Sequence, residues 1–206
     1  MTISNLQKQI LHRRALLLAY VTVGYNILEG IVSILAGLSA GSVALIGFGS
    51  DSFVESLSGG IVIWRFSRGN SLSKEEEIKI ERKATRLVAY TFFILGAYVL
   101  YESIKKLVLH EVPDPSLLGI IIAIISLAVM PILFYNKYRI GKLLNSSSLI
   151  ADAKETFACM FLSIALLIGL GLNYTIGLWQ ADPAIGIVIV VFLAKEGFEI
   201  LNEHEE

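Results

Sequence analysis

Long apolar runs, separated by short charged segments, constrain this chain more than any other feature. A helix needs roughly 20 apolar residues to cross about 30 Å of hydrocarbon. Six such runs can be marked out, at 15–37, 40–64, 84–108, 116–135, 147–172 and 179–201. Together they take up most of the 206 residues and leave little for a soluble domain. A bilayer offers no water to the backbone, so runs of this length must close their own hydrogen bonds as helices. The predicted fold class is an all-α membrane protein, six transmembrane helices forming one domain over 1–206. Charged residues make up 17% of the chain, against about 25% in soluble domains, and they gather between the runs.

Lysine and arginine orient the bundle. They cluster before the first run (Lys8, Arg13, Arg14), between the second and third (Arg65, Arg68, Lys74, Lys79, Arg82, Lys83, then Arg86) and between the fourth and fifth (Lys137, Arg139, Lys142). The opposite side has only Lys105 and Lys106. The positive-inside rule then predicts a multi-pass cell-membrane protein with both termini cytoplasmic. The apolar run after Arg13-Arg14 is too long for a signal peptide and lacks a small-residue cleavage site, so it reads as a retained first helix. Glu75-Glu76-Glu77 reads as a solvated turn or helix extension. Pro113 and Pro115 bracket a tight outer turn, Ser116 suits an N-cap, and Pro131 marks a place for a kink. Gly30, Gly37, Gly41, Gly47, Gly59 and Gly60 suit close helix packing. His12, His110 and His204 fall at helix ends or tails and read as solvated.

Against this background the ionisable residues inside the runs stand out, because each costs roughly 2.5–3.5 kcal/mol to place at the bilayer centre on insertion scales. Asp51 and Glu55 are spaced i,i+4 on the second helix, so they face one way. Ser148, Asp152, Glu155 and Cys159 form one stripe on the fifth, with Glu155 and Cys159 again i,i+4, and Thr22, Asn26, Glu29 and Ser33 form another on the first. Counting about 1.5 Å per residue, Asp51 lies some 16 Å from the outer start of its helix and Cys159 some 18 Å from the inner start of its own. Both fall near the midplane. Two pairs at one depth offer up to three carboxylates and a sulfur, which would repel one another unless a cation joined them. Asp51, Glu55, Glu155 and Cys159 are therefore the predicted metal ligands, a donor set suited to zinc and similar ions. Asn26, Glu29, Asp152 and Lys154 are their candidate supports. Asp152 or Glu29 pairing with Lys154 as plain structural glue is the competing reading for that lysine.

The segments GSVALIGFGSDSFVES, YESIKKL, LIADAKETFAC and WQADPAIG resemble the transmembrane domain of the cation diffusion facilitator family over nearly the whole chain. The resemblance implies a homodimer exchanging divalent transition metals for protons, through i,i+4 pairs that fall here on Asp51 and Glu55 and on Glu155 and Cys159. Zinc is the first expectation as substrate, with Cd2+, Co2+, Fe2+ and Mn2+ as further candidates. No prosthetic group and no nucleic-acid partner is expected. Zinc-transporting members typically carry His and Asp as the fifth-helix pair, and this chain has Glu and Cys. The chain ends shortly after the sixth run, so the resemblance also implies a member without the family's cytoplasmic metal-binding domain.

Two other functions fit some of these features. One is a metal-binding regulatory or sensing protein without transport. The other is an intramembrane carboxylate enzyme such as an aspartyl protease, which needs two aspartates sharing a proton. Only Asp51 and Asp152 could serve there, and the sequence Gly-Phe-Gly-Ser-Asp lacks the protease's Gly-x-Gly-Asp loop. An efflux carrier, not an enzyme, is the leading expectation.

Overall fold

A computed structural model describes residues 5–68 and 74–202. They form α1 (Asn5–Ala40), α2 (Val43–Arg68), α3 (Lys74–Leu109), α4 (Leu117–Leu144), α5 (Ser147–Ile176) and α6 (Ala181–Asn202), with no strand among the described residues. The all-α six-helix architecture is thus as predicted. Among the described residues α1, α4 and α5 are long and apolar enough on their own to cross a membrane. α2 interrupts its apolar run with Asp51 and Glu55, and α6 carries Lys195, Glu196 and Glu199 near its end.

The helices outrun the apolar stretches. α3 begins at Lys74 rather than near 84, which makes Glu75–Glu77 a helix extension; their side chains and residues 69–73 lie outside the described residues. α4 continues through Pro131 to Leu144, rather than ending near 135, and carries Lys137, Arg139 and Lys142 on its last turns. Hydropathy marks the thickness of the hydrocarbon slab, whereas a helix ends where a cap or turn residue ends it. α4 stops at Asn145, which is left-handed with φ 51°, and α5 stops at Gly177, φ 66°. Ser116 caps α4 as expected, its hydroxyl accepting from the Gly119 N–H.

α1 packs on α2, α4 on α5 and α3 on α6, while α2 lies centrally against α1, α3, α5 and α6. Glycine allows the α1–α2 approach: a Cβ on Gly30 would stand 2.9 Å from the Gly49 carbonyl oxygen, and one on Gly49 the same distance from that of Gly30. Gly60, by contrast, has open space around it and is not a packing glycine. Phe48, Leu45, Leu162, Leu166, Leu170, Ile189 and Leu193 fill the interior, and Leu17, Leu28, Leu35, Ile94, Ile132 and Val191 face outward, where lipid covers them. At the end away from the chain termini, the buried carboxylate of Asp182 on α6 accepts hydrogen bonds from the Ser42 hydroxyl and, at 2.9 Å, from the Val43 N–H at the start of α2.

Candidate metal site

α2 presents Asp51 and Glu55 one turn apart, and α5 presents Glu155 and Cys159 in the same way. Their packing brings Asp51, Glu55 and Glu155 to one cavity of about 10 Å3, room for roughly a single water. Phe92 from α3, Leu162 from α5 and Phe192 from α6 supply apolar walls, and Glu196 from α6 adds a fourth carboxylate. Cys159, 2% exposed, faces Asp51 and Glu55 from α5. Oε2 of Glu55 and Oε2 of Glu155 are buried without a hydrogen-bond partner, an arrangement that asks for a proton or a cation. Among the described residues no three His, Cys, Asp or Glu side chains already stand in metal-holding geometry. Glu55 is engaged elsewhere by one oxygen.

That engagement involves a residue the sequence reading placed in a cytoplasmic connection. Lys137 lies on the buried stripe of α4, fully shielded from solvent. Its ammonium is 2.9 Å from Asp152 Oδ2 and 3.8 Å from Glu55 Oε1, and it donates to Thr156 Oγ1 at 2.8 Å. Thr156 Oγ1 is in turn 2.5 Å from Glu55 Oε1, as donor. Lys154 does not take this part. It is exposed, because two residues along a helix turn a side chain about 200° away from Asp152. The partner of Asp152 is Lys137, not Lys154.

The α1 stripe is buried as a unit: Thr22, Asn26, Glu29 and Ser33 all face inward. Glu29 accepts from the Tyr25 hydroxyl at 2.7 Å and from Ser52 at 2.9 Å, so it supports the helix that carries Asp51 without lining the cavity. Both polar atoms of the Asn26 amide lack a hydrogen-bond partner. His12 and His110 are exposed and apart from the cavity, and His204 lies outside the described residues.

Sequence reasoning missed Lys137, Thr156 and Glu196. The signal for Lys137 was present: Ser126, Met130, Leu133, Lys137 and Ile140 recur at three- and four-residue intervals, so the buried face of α4 runs through the lysine. Leu193 and Glu196 continue the inward face of α6 in the same way.

The chain is thus a six-helix membrane bundle with several carboxylates buried in its centre. This chain belongs to the cation efflux family, whose transmembrane domain matches residues 19–204. Members of that family are transporters, not enzymes. The chain is similar to Transmembrane protein 163 of Xenopus laevis, 20% identical over 198 residues that cover 96% of this chain and 69% of that protein. It is 26% identical over 179 residues to an uncharacterized transporter of Methanocaldococcus jannaschii, covering 85% of this chain and 63% of that one. Against magnetosome protein MamB of Magnetospira sp. it is 25% identical over 187 residues, covering 88% and 61%. The chain thus spans under two thirds of the length of the last two.

Proposed function

We propose that this protein carries divalent transition-metal cations, zinc foremost, across the membrane in exchange for protons, and that Asp51, Glu55, Glu155 and Cys159 bind the ion in transit. The observation that supports this most is the shared cavity of Asp51, Glu55 and Glu155, with Cys159 beside it, inside a chain of the cation efflux family. Carboxylate and thiolate suit zinc and cadmium, whereas magnesium demands octahedral oxygen and keeps its waters. Ligands must be deprotonated to bind, so loading releases protons and proton arrival favours unloading. A site at mid-depth between packed helices suits alternating exposure to the two sides.

With both termini cytoplasmic, export is movement away from the terminal side. A homodimer formed through the transmembrane surfaces completes the proposal, and a monomeric mass in nanodiscs would oppose it. The central experiment is zinc uptake into inverted vesicles under an imposed proton gradient. Uptake in the wild type, lost in both Asp51→Asn and Glu155→Gln at equal protein levels, is the expected result. Wild-type flux in both variants removes the site assignment. Stoichiometric binding with no flux in the wild type favours a metal-binding regulatory protein instead.

A further inference from the structure

Lys137 is the one buried cation facing the acidic site from α4, and its geometry exceeds what pairing with Asp152 requires. The ammonium also stands 3.8 Å from Glu55 and bonds the same threonine that holds Glu55. We infer that Lys137 is a built-in counter-cation that holds Glu55 while the site is empty and yields it to the arriving metal, so that this lysine limits affinity and permits turnover. The inference rests on the reading of Asp51, Glu55, Glu155 and Cys159 as the transport site.

Three features carry it. First, the group has one cation and two anions, Lys137 against Asp152 and Glu55, so one carboxylate is left in excess when the other is neutralised. Second, Glu55 is held by Oε1 alone. Its Oε2 has no hydrogen-bond partner and the residue lines the cavity, so the carboxylate already bridges the lysine side and the metal side. Third, releasing Glu55 strands no donor. Lys137 keeps Asp152 at 2.9 Å, and the Thr156 hydroxyl has a second acceptor, the Asp152 carbonyl oxygen at 3.1 Å. Both arrangements therefore satisfy the buried donors, as a two-state element must.

The consequence is a trade between binding and release. An incoming cation must displace or crowd the ammonium at Glu55, which weakens binding. An emptied site recovers its internal cation, which lets the unloaded carrier exist without gathering another metal. The site has several carboxylates in low dielectric, where such a charge weighs heavily.

The test uses the full chain in nanodiscs, with Cd2+ and Zn2+ binding by calorimetry and uptake in vesicles. Lys137→Met/Asp152→Asn removes both charges of the closer pair and leaves Glu55 as the group's one carboxylate, with no internal cation to hold it from the metal. The expected result is metal affinity raised about tenfold with maximal uptake lowered by a similar factor. A purely structural lysine predicts affinity unchanged or reduced, and that result in a folded double variant overturns the inference. Asp51→Asn separates the two levels of argument. Wild-type affinity there fails the site reading itself, while lost binding there with no tightening in the double variant fails only the role of Lys137. If the double variant does not fold, Thr156→Val loosens Glu55 with little change of shape. Binding about threefold tighter is then expected, and unchanged or weaker binding overturns the inference equally.

Discussion

Removing the Asp182 carboxylate should destabilise the bundle while leaving the metal site intact. This side chain is fully buried at the start of α6, yet it serves α2: the Ser42 hydroxyl and the Val43 N–H both donate to it. It also places a negative charge against the N-terminus of α2, the favourable sense for a helix dipole. Asp182→Ala strands two buried donors, at about 1–3 kcal/mol each, and loses the dipole interaction, so the total is about 3–5 kcal/mol. At roughly 2–4 °C per kcal/mol for a chain of this size, the unfolding midpoint should fall by about 10 °C. Asp182→Asn keeps the shape and one acceptor and should lose about half as much. The single cysteine supplies the assay, since Cys159 is buried and meets a thiol-reactive fluorophore only on unfolding. Asp51 lies eight residues beyond Val43, about 12 Å along α2, so metal affinity below the transition should not change. A midpoint within about 2 °C of wild type for Asp182→Ala would refute the capping account.

Glycine substitutions separate packing from open positions: Gly30→Ala should cost about 1–3 kcal/mol in the same unfolding assay, because its methyl group meets the Gly49 carbonyl at 2.9 Å, while Gly60→Ala, with nothing within 4 Å, should not lower the midpoint. Cys159→Ser should weaken Cd2+ binding by at least about tenfold and Mn2+ binding hardly at all, since only the soft ion loses a preferred donor; equal losses in calorimetry would remove the thiol from the ligand set. Orientation can be read by labelling in a Cys159→Ser background: a cysteine at Val112 should react with an impermeant reagent from outside intact cells and one at Asn145 should not, and the reverse pattern would invert the topology.

Periodicity and spacing within one helix are local, and the sequence carried them well. Six apolar runs became six helices, and the pairs Asp51 with Glu55 and Glu155 with Cys159 share faces because residues four apart on a helix must. Helix ends were legible where a cap carries the signal, as at Ser116, and illegible where a polar helix simply continues past the hydrocarbon, as α3 does before 84 and α4 after 135. Counting Lys137 as a loop charge followed from that second failure.

What sequence could not decide is which faces of different helices meet. Asp182 sits in the first turn of α6, yet its partners lie 139 and 140 residues away at the start of α2. Thr156 sits beside Glu155 in the chain, yet it contacts Glu55 across 101 residues. Lys154 looked like the natural counter-charge for Asp152 because it is near in the chain, but a helix turns it outward while α4 brings Lys137 in. The 3.6-residue period sets neighbours along a helix from sequence alone. Neighbours between helices depend on the close approaches that small residues permit and on how each buried charge finds its partner, and only the packed bundle determines those.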